Sequence, residues 1–235
     1  MKFLSIGDVH GRDNWKTFVN DVENYYKIVF VGDYVDSFTE CNEKIIFNLL
    51  DIINFKKQYP DKVVLLLGNH DVQYAISSPS SVNSKHGCSG YRPESHYDLY
   101  EIFKENKNLF QVAYQYKNYI WTHAGIHRGW YTKFINEFNK TFPNFDGTLA
   151  DKLNEGYLFE LSSIFDVGYL RWGTAPVGGI LWADKKETWI KPLKNYHQIC
   201  GHTMIPYIQT SEHKKFNASI TYIDVVTDPY ILEIE

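Results

Sequence analysis

Five short apolar runs in this chain each end in a glycine-containing turn that carries a residue able to bind a metal. The runs are Lys2–Ile6, Lys27–Val31, Val63–Leu67, Tyr119–Thr122 and His197–Cys200. They lead into Gly7-Asp8-Val9-His10-Gly11, Gly32-Asp33-Tyr34-Val35-Asp36, Gly68-Asn69-His70-Asp71, His123-Ala124-Gly125 and Gly201-His202-Thr203. Near-continuous aliphatic and β-branched runs of this length read as strands buried on both faces. Glycine lets the backbone turn sharply and pass close to a ligand. One such turn is commonplace, but its ordered recurrence at five strand ends is not explained by ordinary turn chemistry. Two further runs, Ser219–Ile223 and Tyr230–Ile234, continue the strand pattern.

Between the early runs the period changes to that of a helix. Trp15, Phe18, Val19 and Val22 follow i, i+3, i+4, i+7 spacing, with Asp13 placed as an N-cap. Ile45, Ile46, Leu49, Leu50 and Ile53 predict a longer helix ending before Pro60. Alternating strands and helices predict an α/β fold, its sheet flanked by helices and its early connections parallel. Ligands of such sheets sit beyond the carboxyl ends of the strands, where the five turns fall. A length of 235 residues fits one domain, 1–235. The Ser-, Gly- and Pro-rich stretch 77–96 and the helically spaced stretch 128–175 (Trp130, Phe134, Phe138, Leu149, Leu153) are expected as lid or cap insertions.

The spacings carry chemistry. Asp8 and His10, two apart in extended chain, would point the same way and share one cation. Asp33, ending the neighbouring strand, could reach that ion and bridge to a second. Asn69 and His70, adjacent in extended chain, would point apart, one toward metal and the other toward substrate. His123 and His202 would give imidazole nitrogens to the second ion. Mixed carboxylate, imidazole and amide ligation suits Mn, Fe, Zn or Ni.

Composition narrows the partners. Net charge is −4, which gives no overall pull toward nucleic acid or an anionic membrane, so neither is expected as a partner. No apolar run is long enough to cross a bilayer, and the Met1-Lys2-Phe3-Leu4 start lacks the apolar core of a signal peptide. Three scattered cysteines, Cys41, Cys88 and Cys200, are expected as buried free thiols in a reducing, cytoplasmic setting. Only four arginines are present, Arg12, Arg92, Arg128 and Arg171, so a bidentate phosphate clamp has few candidates.

The series GDVHG, GDYVD, GNHD, THAG and GHT resembles the calcineurin-like metallophosphoesterases, and among them the phosphoprotein-phosphatase branch with its bacterial and phage members. The likeness covers residues 1–125 and 178–205, where Gly179–Asp184 resembles the branch's LLWSDP-like stretch. It implies two mixed sheets packed as a β-sandwich and flanked by helices, with a small lid. It further implies that Asp8, His10 and Asp33 hold one divalent ion and that Asp33, Asn69, His123 and His202 hold a second. Mn2+ is the expected metal, with Fe, Zn or Ni as alternatives. By the same likeness His70 is the acid that protonates the leaving oxygen, and Asp36 orients it. The implied reaction is in-line displacement at phosphorus by a hydroxide that the ions generate from water.

Two positions depart from the family pattern. Met204 stands where many members carry the second histidine of GHxH, which fits the phosphatase-like and diadenosine-tetraphosphatase-like branch. Ser37-Phe38 stands where protein phosphatases read the Arg-Gly of GDxVDRG, so the arginine that clamps phosphate is missing. Arg92 is the first expected substitute, then Arg171 and Arg12. The expected function is hydrolysis of phosphate monoesters on proteins or small molecules. A nucleotide phosphoanhydride hydrolase is the alternative, and a non-catalytic scaffold is the reading from another class. The expected partner is a phosphorylated protein, small phosphoester or nucleotide, with oligomeric state open. His86, His96, His197 and His213 are expected to be structural or solvated. His127, four residues past His123, has a lesser claim to approach the site.

Overall fold

A computed structural model describes residues 1–76 and 88–234. Residues 77–87, which include His86 and most of the expected lid stretch 77–96, lie outside the described residues. The chain divides into two compact units, Met1–Phe110 with Val226–Glu235, and Gln111–Val225.

The first unit is built on β1 (Lys2–Ile6), β2 (Lys27–Phe30) and β3 (Val63–Leu66), paired in parallel with Leu4 opposite Ile28 and Ile28 opposite Val63. Phe3, Leu4, Ile28, Val29, Phe30, Leu65 and Leu66 are fully buried, as strands covered on both faces require. Strand β4 (Phe110–Gln111) borders β3, and β10 (Tyr230–Glu233) pairs antiparallel with β1, giving the order β10-β1-β2-β3-β4. Along β10 exposure alternates, the mark of a strand with one wet face. Helix α1 (Asn42–Gln58) packs on β3 and buries Ile45, Leu49 and Ile53 of the predicted stripe together with Ile52, while Ile46 and Leu50 are only half-buried. Two more helices follow, α2 (Asn69–Ala75) and α3 (His96–Glu105), packed on each other. The latter begins at the end of the stretch expected as a lid.

The helix expected over Trp15–Val22 does not form. The segment holds two short 3-10 turns, Asn14–Thr17 and Val22–Asn24, and Asp13 makes no capping bond through its side chain. Local polar groups explain the difference: Thr17 Oγ1 donates to the Asn14 carbonyl and Asn20 Nδ2 to that of Thr17, satisfying backbone oxygens in non-helical geometry. Trp15 turns inward, its indole N–H donating to Asn48 Oδ1 on α1 at 2.9 Å.

The second unit carries a sheet ordered β5-β6-β7-β9-β8, from β5 (Ala113–Tyr116), β6 (Tyr119–Thr122), β7 (His197–Cys200), β8 (Gln209–His213) and β9 (Ala218–Tyr222). The inner pairs β6–β7 and β7–β9 are parallel, and the two outer pairs are antiparallel. Helix α4 (Arg128–Thr141) buries Trp130, Phe134 and Phe138 in one stripe, with the Trp130 and Phe134 rings stacked at 5.2 Å. Helix α5 (Leu149–Leu158) starts at a capping box of Thr148 and Asp151, and α6 (Lys185–Ile190) at one of Asp184 and Glu187. The molecule is thus a mixed α/β fold with two mixed sheets flanked by helices. Among the described residues, no helix is long and apolar enough to cross a membrane.

Candidate metal centre

In the first unit three adjacent parallel strands deliver Asp8, Asp33 and Asn69 at their carboxyl ends. The loops are tied to one another through the backbone: Val9 N and His10 N donate to the Asp33 carbonyl at 3.0 and 2.7 Å, and Gly11 N to that of Tyr34 at 3.0 Å. His10, Asp33 and Asp36 all hold left-handed backbone, with φ of 46°, 54° and 56°. Such conformations cost about 1–3 kcal/mol each in non-glycine residues and cluster where a site demands them. His10 therefore reaches its place through a turn, not through the extended chain that its spacing from Asp8 suggested.

The imidazole of His10 is held by two backbone carbonyls. Its Nδ1 lies 2.8 Å from the Asp36 carbonyl oxygen and 3.0 Å from that of Val35. Nδ1 thus carries the proton and donates it, leaving Nε2 as the lone-pair nitrogen, 3.7 Å from Asp33 Oδ2. Metal-ligating histidines are typically held this way. Space for the Asp33 carboxylate exists because residue 68 lacks a side chain: a Cβ there would lie 2.1 Å from Asp33 Oδ1.

Asn69 and His70 begin α2, so they diverge by helical rotation instead of pointing to opposite sides of a strand. His70 Nδ1 donates to Asp36 Oδ2 at 2.8 Å, and its Nε2 lies 4.0 Å from Asp33 Oδ2. The ligand atoms of His10, Asp33 and His70 all fall within 4.8 Å of one another. Burial disfavours charge on His70, but Asp33, Asp36 and Asp71 outweigh it and raise its pKa to about 9. The imidazole is therefore protonated at neutral pH in the metal-free chain.

Three residues with no role in the sequence reading hold this geometry. Asp71, fully buried, accepts backbone N–H bonds from Asp33 (2.7 Å), Tyr34 (2.8 Å) and Gly68 (2.8 Å). Gln73 Nε2 donates to Asp36 Oδ2 at 3.0 Å, and the Tyr74 hydroxyl donates to Asp36 Oδ1. The fourth letter of GNHD was a signal for Asp71, because an acid three residues into a helix can reach back to the N-terminal backbone. Tyr74 and Gln73 follow one turn later on α2, with nothing local to mark them.

In the second unit His123 and His202 follow the neighbouring parallel strands β6 and β7. Gly201 N donates to the His123 carbonyl at 2.8 Å, and Ala124 N to that of Ile180 at 2.7 Å, so Gly179–Asp184 is anchored beside the histidine loop. His202 also has left-handed backbone, with φ of 65°. His123 Nε2 and His202 Nδ1 lie 3.1 Å apart, within hydrogen-bond distance of each other. Trp182 stands edge-on to His202 at 6.0 Å.

The three candidate arginines are already engaged. Arg12 donates to the Asp8 carbonyl at 2.7 Å. Arg92 donates to the Ser37 carbonyl and to Asn42 Oδ1, each at 2.6 Å. Arg171 donates to Thr203 Oγ1 at 2.8 Å and pairs with Asp184 at 2.9 Å. His127 caps α4, its Nδ1 accepting from Gly129 N at 3.0 Å. His96, His197 and His213 bond to Tyr91, Ser219 and the Trp189 carbonyl, which makes them structural. All three cysteines are free thiols, but Cys41 is exposed at the start of α1 instead of buried.

Carboxylate, imidazole and amide donors, with a tautomer fixed on His10 and a glycine-made recess for Asp33, fit divalent ions well. The sequence matches the family model for calcineurin-like phosphoesterases over residues 1–206. Among solved structures, a mutant cold-active protein tyrosine phosphatase is 14% identical, with 96% of this chain and 71% of that one covered at a TM-score of 0.54. A hypothetical protein from Pyrococcus horikoshii is 9% identical, with 100% and 88% covered at a TM-score of 0.50. A serine/threonine phosphatase from Saccharomyces cerevisiae is 15% identical, with 94% and 67% covered at a TM-score of 0.47. No curated protein matches the sequence.

Proposed function

The chain belongs to the calcineurin-like phosphoesterase family and is a metal-dependent phosphoesterase; we propose that it hydrolyses phosphate monoesters, on phosphoserine or phosphothreonine proteins or on small molecules. In this reading Asp8, His10 and Asp33 hold one divalent ion, and Asp33, Asn69, His123 and His202 hold the second. Mn2+ is the favoured metal, with Fe, Zn or Ni as alternatives. When bound, such ions neutralise phosphoryl oxygens and lower the pKa of water.

The observation that carries the reading is the His70–Asp36 pair. Asp36 receives the Nδ1 proton of His70 and is itself fixed by Gln73 and Tyr74, so the second proton of the imidazolium sits on Nε2, on the side of Asp33. That arrangement supports donation of the proton to the leaving oxygen of an ester. Cations beside His70 would pull its pKa down from about 9, toward the range where an acid turns over near neutrality. The unbridged cysteines support residence in the reducing cytoplasm.

A second reading, nucleotide phosphoanhydride hydrolysis, draws on Trp172. This residue is 95% exposed and has left-handed backbone, next to an arginine bonded to the residue after His202. An exposed indole so held is suited to stack on a base. Turnover of p-nitrophenyl phosphate, a phosphopeptide and diadenosine tetraphosphate, measured side by side with Mn2+, separates the two. Highest kcat/KM on the phosphopeptide or the aryl ester supports the monoesterase, and on the dinucleotide the alternative. Absence of both bound metal and turnover would mark a non-catalytic scaffold.

A further inference from the structure

Asn69 can bind a cation only through its amide oxygen, because the nitrogen is a donor with no lone pair to offer. Oxygen and nitrogen differ little in size, so packing alone does not choose between the two orientations of the amide. Cys88, buried behind it, does. Its Sγ lies 3.3 Å from Asn69 Nδ2 and 3.3 Å from the Asn69 carbonyl oxygen. A thiol has one proton, which here is donated to the backbone carbonyl. The sulfur then faces the amide with its lone pairs and accepts from Nδ2–H. The reversed amide would set oxygen lone pairs against those of sulfur.

Cys88 also reaches the acid. Its backbone N–H donates to Gln73 Oε1 at 3.1 Å, and Gln73 in turn donates to Asp36 Oδ2 at 3.0 Å. Burial above all, and then Asp33, push the thiol pKa well above its ordinary value, which suits a neutral hydrogen-bonding group and not a nucleophile.

We propose that Cys88 is a positioning residue: its thiol sets the Asn69 amide with the oxygen turned away from sulfur, in the orientation a cation needs, and its backbone steadies Gln73 beneath Asp36. The proposal rests on the reading of Asn69 as a metal ligand. The decisive comparison uses the whole chain and Mn2+ titrated calorimetrically into metal-free protein. Cys88→Ala is expected to weaken one Mn2+ site about tenfold, the scale of losing a partner that orients a ligand. Cys88→Ser, which keeps a donor and an acceptor, is expected to stay within about threefold of the parent. In an Asn69→Asp background, where either oxygen can bind, Cys88→Ala should change affinity less than twofold. Equal losses in both backgrounds, or no loss in the first, would overturn the proposal. Should Cys88→Ala fail to fold, nuclear magnetic resonance of the metal-free parent and of Cys88→Ser decides. An exchange-protected Asn69 side-chain N–H supports the lock, and two unprotected ones refute it. If the parent binds no Mn2+, the ligand reading of Asn69 falls, while the amide measurement still judges the lock.

Discussion

Gly68 sits so close behind Asp33 that a Cβ added at 68 would lie 2.1 Å from Asp33 Oδ1 and 2.6 Å from Asp33 N. Neither atom is the end of a flexible chain: Asp33 N is bonded to Asp71, and Oδ1 accepts the His70 backbone N–H at 3.0 Å. Gly68→Ala must therefore displace the carboxylate or the turn. The expected cost is about 2–3 kcal/mol of stability from overpacking. Mn2+ affinity and turnover should fall together, the latter by at least about a hundredfold, because the displaced carboxylate is a proposed ligand of both ions. Thermal unfolding of the metal-free variant and Mn2+ calorimetry check the two effects. A variant with parental metal affinity would show that Asp33 is not held by this recess.

Asp36→Asn removes the charge that holds the His70 proton while leaving a side chain of the same shape. In the metal-free chain the His70 pKa is expected to drop from about 9, since burial favours the neutral ring and Asp33 and Asp71 are left to hold the proton. The sign of the linked stability follows from the raised value. Protonated His70 stabilises the metal-free fold fully below its ordinary pKa of 6.5, and that contribution disappears as pH rises through about 9. Asp36→Asn should flatten this decline in an unfolding series across that window. In the loaded enzyme it should lower kcat about a hundredfold on an alkyl phosphate and much less on p-nitrophenyl phosphate, whose leaving group needs no proton. Equal losses on both esters would remove His70 from the acid role.

The strands and their polar ends were legible because a parallel strand buried on both faces carries a near-continuous apolar run. Helix α1 was equally plain from the helical spacing of Ile45, Leu49 and Ile53. The segment 13–24 misled because Trp15 and Val22 keep helical spacing while Thr17 and Asn20 spend their side chains on local backbone carbonyls. Strand β8 was hidden because Gln209–His213 is a polar edge, and edge strands carry no apolar run to read. In the site, residue types and order were readable but conformation was not. The left-handed turns at His10, Asp33, Asp36 and His202 fall on residue types enriched there among non-glycines, but even these adopt such backbone too rarely to be read from sequence.

Asp71 is predicted to be the structural key of the first unit's loops. Its carboxylate accepts three buried backbone N–H groups, from Gly68, Asp33 and Tyr34. Asp71→Ala strands all three donors in a buried setting, at about 1–3 kcal/mol apiece before relaxation. Unfolding in urea should show a loss of at least about 3 kcal/mol. Asp71→Asn keeps one acceptor oxygen and should lose less. If Asp71→Ala costs under about 1 kcal/mol, water has replaced the carboxylate and the loops do not depend on it.

The arginine series tests how phosphate is held without the GDxVDRG clamp. Arg92 has the strongest claim, because its guanidinium is anchored on the carbonyl of Ser37, the residue standing where that clamp's arginine would be. A guanidinium offers five N–H donors in a rigid fork, and the two bonds to Ser37 and Asn42 orient it without exhausting it. Arg92→Ala is expected to raise KM for a small phosphate ester about tenfold or more, the scale of one hydrogen bond to a charged group. Arg92→Lys should restore little of that, since lysine cannot form the fork. Arg12→Ala should act differently, weakening Mn2+ binding, because Arg12 steadies the backbone of Asp8. Arg171→Ala should release Thr203 and Asp184 and disturb the His202 loop in the same indirect way. Steady-state kinetics beside metal titration sorts the three. An unchanged kcat/KM in Arg92→Ala, with a raised KM in either of the others at full metal occupancy, would move the clamp to that residue.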